Sequence, residues 1–197
     1  MVVIEFRVKL ACSRNLKMDV SIKLTRISEL SEADRAEVRG LSQAVYPPEV
    51  AATWPGRLLE WANSEWCVRI WGSDGELVSY VGVLLREGTL DTRPVLMGGL
   101  GGVATHPAAR RRGYAEQGLR TAVEFFRETP EVAFALLVCE QNLIPYYARL
   151  GWHEFCGELI VRQYGKPGLF TFNRVMTLKI ASEAPLVGTI DLRGPPW

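Results

Sequence analysis

The residues best suited to chemistry are Arg110, Arg111, Arg112, Gly113, Tyr114 and Ala115. They stand between a glycine-bearing strand pattern that ends at Thr105 and an amphipathic helix pattern that starts at Tyr114. A helix opens with about four backbone N–H groups that lack partners, and with partial positive charge. Gly113 and Ala115 are small enough for a ligand to reach that backbone, and three arginines add charge at the same point, which together make a diphosphate cradle. A solvated basic turn or a nucleic-acid patch would use the same arginines. The glycine at the strand-to-helix junction favours the cradle, and a net charge of +1 supplies no wider basic surface.

A second group lies in the segment from Asn142 to Trp152, which contains Tyr147 and Gly151. A phenol placed near the end of the glycine-bearing strand could protonate a departing thiolate. Leu143, Tyr146, Tyr147 and Leu150 also share helical spacing, and taken alone that spacing favours Tyr147 as a core residue. His106 and His153 are far apart and have no acidic neighbour, so neither a metal site nor a base is read from them, and His106 is expected to be structural. Trp54, Trp61, Trp66 and Trp71 read as core or pocket wall. No lysine-rich groove accompanies them, as a nucleic-acid stacking platform would require.

The elements that must position these residues follow from periodicity. Residues 19–27 alternate as a half-buried strand does. Ser31 is a candidate N-cap for a helix that runs to about Val45 and ends at Pro47-Pro48. Residues 55–63 suggest a short second helix beginning at Pro55. Strands are expected at Cys67–Trp71, Leu77–Arg86 and Val95–Thr105, the first two joined by the turn Gly72-Ser73-Asp74-Gly75. Glycines 98, 99, 101 and 102 in the third mark a bulge or the close approach of another group. A helix over Tyr114–Glu128, a doubly covered strand over Val132–Val138 and a helix over Asn142–Leu150 capped by Asn142 come next. Strands near 153–163 and 171–180 follow, then an irregular tail, Ser182–Trp197. Hairpins first and a β-α-β crossover after them make a mixed α/β sheet with helices on its faces.

The chain has 197 residues, 48% of them hydrophobic and 23% charged, the composition of one ordinary globular domain. Its four cysteines contain no CxxC pair, and Cys67 and Cys139 sit in apolar runs, so reduced, buried thiols are expected. The first residues, MVVIEFRVKLACS, carry Glu5, Arg7 and Lys9 inside the apolar run, which breaks any signal-peptide core, and no apolar stretch reaches the ~20 residues of a membrane span. A cytoplasmic protein is expected, with residues 1–18 as an N-terminal extension to a single domain over 19–197.

VATHPAARRRGYA, followed by NLIPYYARLGW, resembles the two central motifs of the GNAT acetyltransferases. The resemblance covers roughly Asp19–Ile180. It implies a central mixed, mostly antiparallel sheet with a splayed parallel strand pair and flanking helices. It implies acetyl-CoA as co-substrate, with no metal and no nucleic-acid or membrane partner, and a small-molecule amine as acceptor. Val103 and Thr105 would then pair through backbone atoms with the pantetheine arm, Arg110 to Ala115 would hold the pyrophosphate, and Asn142 would belong to the same cofactor site. Tyr147 would be the proton donor to the CoA thiolate. Pairing of two copies as a homodimer is also open.

A narrower resemblance, to bacterial aminoglycoside 2'-N-acetyltransferases, lies in the spacing from Trp54 to Val103-Ala104 and in the ending Asp191–Trp197. It implies an acid just before the Val-Ala pair, where this chain has Gly101, and an aminoglycoside contact near Glu49. In place of that acid, the terminal carboxylate of Trp197 is expected to be the base, with Glu49 acting through water as the alternative. Whether Glu49, Glu87, Asp91 and Asp191 converge on a polycationic acceptor is not legible at this level. Other amines, such as a polyamine, an amino-acid derivative or a protein N-terminus, remain open, as does a non-catalytic acyl-CoA sensor.

Overall fold

Local signals already fix the first helix, because Ser31 and Asp34 close a reciprocal cap on its first turn. The Ser31 hydroxyl accepts from the Asp34 N–H at 3.1 Å, and the Asp34 carboxylate accepts from the Ser31 N–H at 3.0 Å. The structure, a computed structural model, describes Ile4–Phe6 and residues 20–197. The chain divides into two units. The first takes in the chain to Thr53, Glu65–Gly82 and Gly102–Ala122, and the second Trp54–Ser64, Val83–Gly101 and Val123–Trp197.

In the first unit, strands β1 (Ile4–Phe6), β2 (Ser21–Arg26), β3 (Trp66–Trp71), β4 (Leu77–Leu90) and β5 (Arg93–Thr105) follow one another in the sheet, β4 and β5 continuing into the second unit. Of the expected N-terminal extension only β1 lies within the described residues, antiparallel to β2. Pro47-Pro48 ends α1 (Glu32–Val45) as expected, but Pro48 also opens α2 (Pro48–Thr53), because its fixed φ suits the first turn of a helix. Arg69 on β3 is 3% exposed and pairs with Asp34, while its guanidinium lies 4.9 Å from the Trp71 ring centre. That guanidinium and the Ser31 hydroxyl pull the Asp34 carboxyl down to about 2.

In the second unit, β5 runs parallel to β6 (Val132–Cys139) from Leu96 opposite Val132 to Leu100 opposite Leu137, with α3 (Tyr114–Glu128) as the chain connection between the two strands. β6 is covered on both faces, as its unbroken apolar run implies, and pairs antiparallel with β10 (Arg174–Lys179). α4 (Ile144–Ala148) follows β6. Next come β7 (His153–Glu154), β8 (Glu158–Gln163), β9 (Lys166–Leu169) and, after β10, β11 (Thr189–Asp191).

Four expectations are corrected here. Residues 55–63 make only a single 3-10 turn, Pro55–Leu58, because the Trp54 ring packs on Gly56 and the Trp61 indole N–H donates to the Gly56 carbonyl at 2.8 Å. The expected strand near 153–163 is two strands, broken where Gly157 lies against the Gly188 carbonyl. β7 stays with β10, and β8 joins β11. The strand near 171–180 begins only at Arg174, and β9 precedes it in a hairpin with β8. The tail is not irregular throughout, since β11 lies antiparallel to β4 and parallel to β8. Among the described residues, no helix is long and apolar enough to cross a membrane.

Candidate active site

The first unit holds the arginine loop. β5 ends at Thr105, a short 3-10 turn follows at Pro107–Ala109, and the arginine loop leads into α3. Arg111 and Gly113 both take left-handed backbone, at φ 63° and 82°. Such alternation turns successive N–H groups to one side and makes a concave anion seat at the start of α3. A Cβ on Gly113 would meet no atom within 4 Å, so the space over the loop is open. Arg111 and Arg112 are exposed and have no carboxylate partner among the described residues, whereas Glu116 in the first turn is already paired with Arg120 at 2.8 Å. Arg110 reaches back to the Thr105 carbonyl. The Tyr114 side chain is buried, so at that position the backbone faces the seat. Gln117, one turn further on, keeps its buried Oε1 without a hydrogen-bond partner. The left-handed loop backbone, the open space above it and the exposed arginines fit a diphosphate.

Backbone polarity along β5 can be worked out from its partner. The His106 N–H donates to the Val78 carbonyl, and the Ala104 carbonyl accepts from the Ser79 hydroxyl at 2.9 Å. Since backbone groups alternate sides along a strand, those of Val103 and Thr105 face the opposite edge. The ladder between β5 and β6 ends at Leu100, and Gly102, with φ 59°, breaks the extended run just beyond it. His106 is structural: its Nδ1 accepts the Ala108 N–H at the head of the 3-10 turn.

The second unit holds Trp197. Trp197 is 5% exposed, and its indole N–H donates to the Leu136 carbonyl on β6 at 3.0 Å. Its ring packs against the bare backbone of Gly99, where a Cβ would sit 2.6 Å from the indole. Arg86 covers the ring with its guanidinium 5.7 Å from the ring centre. The main-chain carboxyl carbon of Trp197 is 2.9 Å from where a Cβ on Gly101 would be. The tail is held by three further ties. The Ala62 N–H donates to the Pro196 carbonyl at 2.6 Å, and the Arg162 N–H to the Gly194 carbonyl at 2.8 Å. Arg162 also grips the Asp191 carboxylate with two bonds of 3.1 Å. Burial alone would raise the Asp191 carboxyl, but the Arg193 N–H and Arg162 outweigh it and hold it below the usual range. Asp91 accepts the Thr189 N–H. Asp91 and Asp191 are thus engaged in fastening the tail.

Tyr147 is the one buried residue of α4, with Tyr146 5.1 Å and Trp152 6.4 Å away between ring centres. Asn142 is exposed and does not cap that helix. It sits inside a 3-10 turn, Gln141–Leu143, and Leu143 precedes α4, because the turn uses up the residues that a longer helix would have needed. Glu49 is exposed in the first turn of α2. Cys67 and Cys139 are buried, and burial pushes both thiols up to about 11. Trp54 and Trp61 stack at 5.6 Å in the second unit, while Trp66 and Trp71 end β3 beneath Arg26 and Arg69. Among the described residues, no group of three His, Cys, Asp or Glu gathers as a metal site would need. The sequence offered no pointer to Arg86 or to the Leu136 carbonyl, since both act across strands. Gln117, one helical turn after Gly113, could have been found by its spacing.

A model of the acetyltransferase (GNAT) domain family matches residues 26–155. No curated protein sequence matches the chain. Among solved structures, an acyl-CoA N-acyltransferase from Pseudomonas aeruginosa has a TM-score of 0.58 at 17% identity, over 81% of this chain and 99% of that one. ElaA from Escherichia coli has a TM-score of 0.55 at 19% identity, over 81% and 99%. YhbS from Escherichia coli, a GNAT family N-acetyltransferase in complex with CoA, has a TM-score of 0.56 at 14% identity, over 93% of each chain. At these identities the likeness is one of fold, a mixed α/β sheet with flanking helices.

Proposed function

The chain belongs to the GNAT acetyltransferase family, and from that premise we propose that it transfers acetyl from acetyl-CoA directly to a primary amine with the carboxylate of its own last residue as base. Family membership makes it an acyl-CoA-dependent N-acetyltransferase. In the proposed reaction the Trp197 carboxylate takes a proton from the acceptor's ammonium group. The amine nitrogen attacks the thioester carbonyl, the C–N bond forms, the C–S bond breaks, and Tyr147 gives the CoA thiolate its proton. A backbone N–H of β5 near Val103, beyond the break at Gly102, stabilises the oxyanion. Val103 and Thr105 pair with the pantetheine arm, and Arg110 to Ala115 hold the pyrophosphate, with Asn142 beside the cofactor.

One observation carries the choice of base. The terminal carboxyl carbon stands 2.9 Å from the Cβ that Gly101 lacks, so the chain end occupies the space of a side chain at residue 101. An acid is implied there by the narrower resemblance, and in this reading the Trp197 carboxylate takes that role. That closing tail also supports the finer version of the reading, in which the acceptor is the 2'-amine of an aminoglycoside and Glu49 is one of its contacts. Release of CoA thiol from acetyl-CoA, followed with a panel of amines, tests both levels. Release with aminoglycosides carrying a 2'-amine, and not with their 2'-hydroxyl analogues, supports the finer version. Release with other amines alone supports only the transfer. No release with any amine, despite acetyl-CoA binding, refutes the transfer reading and leaves a sensor of acyl-CoA.

A further inference from the structure

The second unit contains a cavity of about 620 Å³. Its rim comes from two stretches, Glu154–Leu159 and Leu169–Val175, together with Gln141. Its size falls inside the ~300–1,000 Å³ of small-molecule pockets. Its buried floor, Phe155, Leu159, Phe170 and Val175, belongs to the same apolar cluster as Trp197. Gln141 leads into the turn before α4, the helix of Tyr147. The floor and rim are therefore joined to both proposed proton-transfer residues through packing and chain within one unit.

The chemistry of the wall is specific. Arg174 is engaged with Gln141 at 3.2 Å and Glu154 at 3.9 Å. Glu158, on the same wall, has no ion pair among the described residues. Two carboxylates against one guanidinium leave the lining net negative. Phe172 offers an aromatic surface that is 37% exposed, backed edge-on by Trp54 and Trp61 at 6.2 Å each. A carboxylate and an exposed aromatic ring lining one cavity attract an ammonium group by charge and by cation–π attraction. Thr171 and Asn173 add hydrogen-bonding groups for a hydroxylated skeleton.

We propose that this cavity is the acceptor pocket and that it takes a small, water-soluble amine carrying two or more positive charges, with Glu158 and Phe172 as its recognition groups. The proposal rests on the acetyl-transfer reading for what the pocket is used for, but its test does not depend on turnover. Calorimetric titration of the CoA-loaded protein with tobramycin, an aminoglycoside bearing a 2'-amine, and with spermidine measures binding directly. At least one should bind, and which one binds more tightly separates an amino sugar from a linear polyamine. Glu158→Gln should weaken that binding about tenfold and Phe172→Ala about fivefold, since each removes one charged or cation–π contact. Glu183→Gln, an exposed acid paired with Lys179 outside the cavity, should leave it unchanged. CoA affinity should be the same in all four proteins, which also verifies folding. Failure of both amines to bind, or wild-type affinity in both pocket variants, overturns the proposal. Turnover that survives with amine KM unmoved in the variants sinks the pocket and spares the acetyl transfer. Amine binding without CoA release does the reverse.

Discussion

Replacing the terminal carboxylate of Trp197 by a carboxamide, through ligation of a synthetic C-terminal peptide, removes one charge and almost nothing else. The indole bond to the Leu136 carbonyl and the Ala62–Pro196 bond do not use that carboxylate. Stability should therefore change by less than about 1 kcal/mol, and acetyl-CoA affinity should hold. A positioned general base contributes about 10²–10⁴-fold, or about 2.7–5.5 kcal/mol of barrier, so kcat/KM for the amine should fall by that factor. Deleting Pro196-Trp197 is a blunter test, because emptying a buried tryptophan site costs about 3–5 kcal/mol by itself. Turnover is read by thiol release at saturating acetyl-CoA, alongside a thermal melt. An amidated protein with kcat within about twofold of wild type would refute the base assignment and return attention to Glu49 acting through water. By the same reasoning, two glycines appended after Trp197 should inactivate the enzyme, with a lowered melting temperature because the carboxyl carbon is packed against Gly101.

Further outcomes follow from the same geometry. Tyr147→Phe should lower kcat about tenfold or more while the acetyl-CoA Kd stays within about twofold, as befits a proton donor rather than a binding group. Gly113→Ala meets no steric obstacle but must hold φ near 82°, so it should cost about 1–2 kcal/mol of stability and raise the acetyl-CoA KM. Gly101→Ala drives a methyl group against the terminal carboxyl carbon and should lower kcat more than it lowers the melting temperature. The Asp34 carboxyl, held at about 2 by Arg69, is more acidic folded than unfolded, so its contribution is present above pH ~4 and is lost as the pH falls toward 2. Asp34→Asn should flatten that part of the urea-unfolding profile. It should also cost about 3–5 kcal/mol at pH 7 by leaving Arg69 buried without its partner.

The sequence by itself carried everything whose cause is local. The capping box at Ser31, the glycine at the strand-to-helix junction before α3 and the two-sided burial of β6 each depend on a handful of neighbouring residues, and each is readable as spacing. The family motifs lie in the same category, because a phosphate seat is a short loop and a helix end. The limits of local reading appear where two nearby signals compete. Pro48 could stop one helix or start another, and the residues after Pro55 are helical in pattern yet are held in a turn by Trp54 and Trp61. Asn142 has the residue type of a cap but stands inside a turn, which only the path of the chain out of β6 decides. Other facts lie beyond any local pattern. Glycines 99 and 101 announced that something comes close, and only the folded chain identifies it as the terminal tryptophan. The tail carries a strand because β4 and β8 offer it backbone partners and Arg162 fixes Asp191 between them. The cavity beside Phe172 lies where β7 stays with β10 while β8, after Gly157, joins β11. Such contacts join residues far apart in the chain, and their free energy depends on which edges and faces the rest of the fold leaves open.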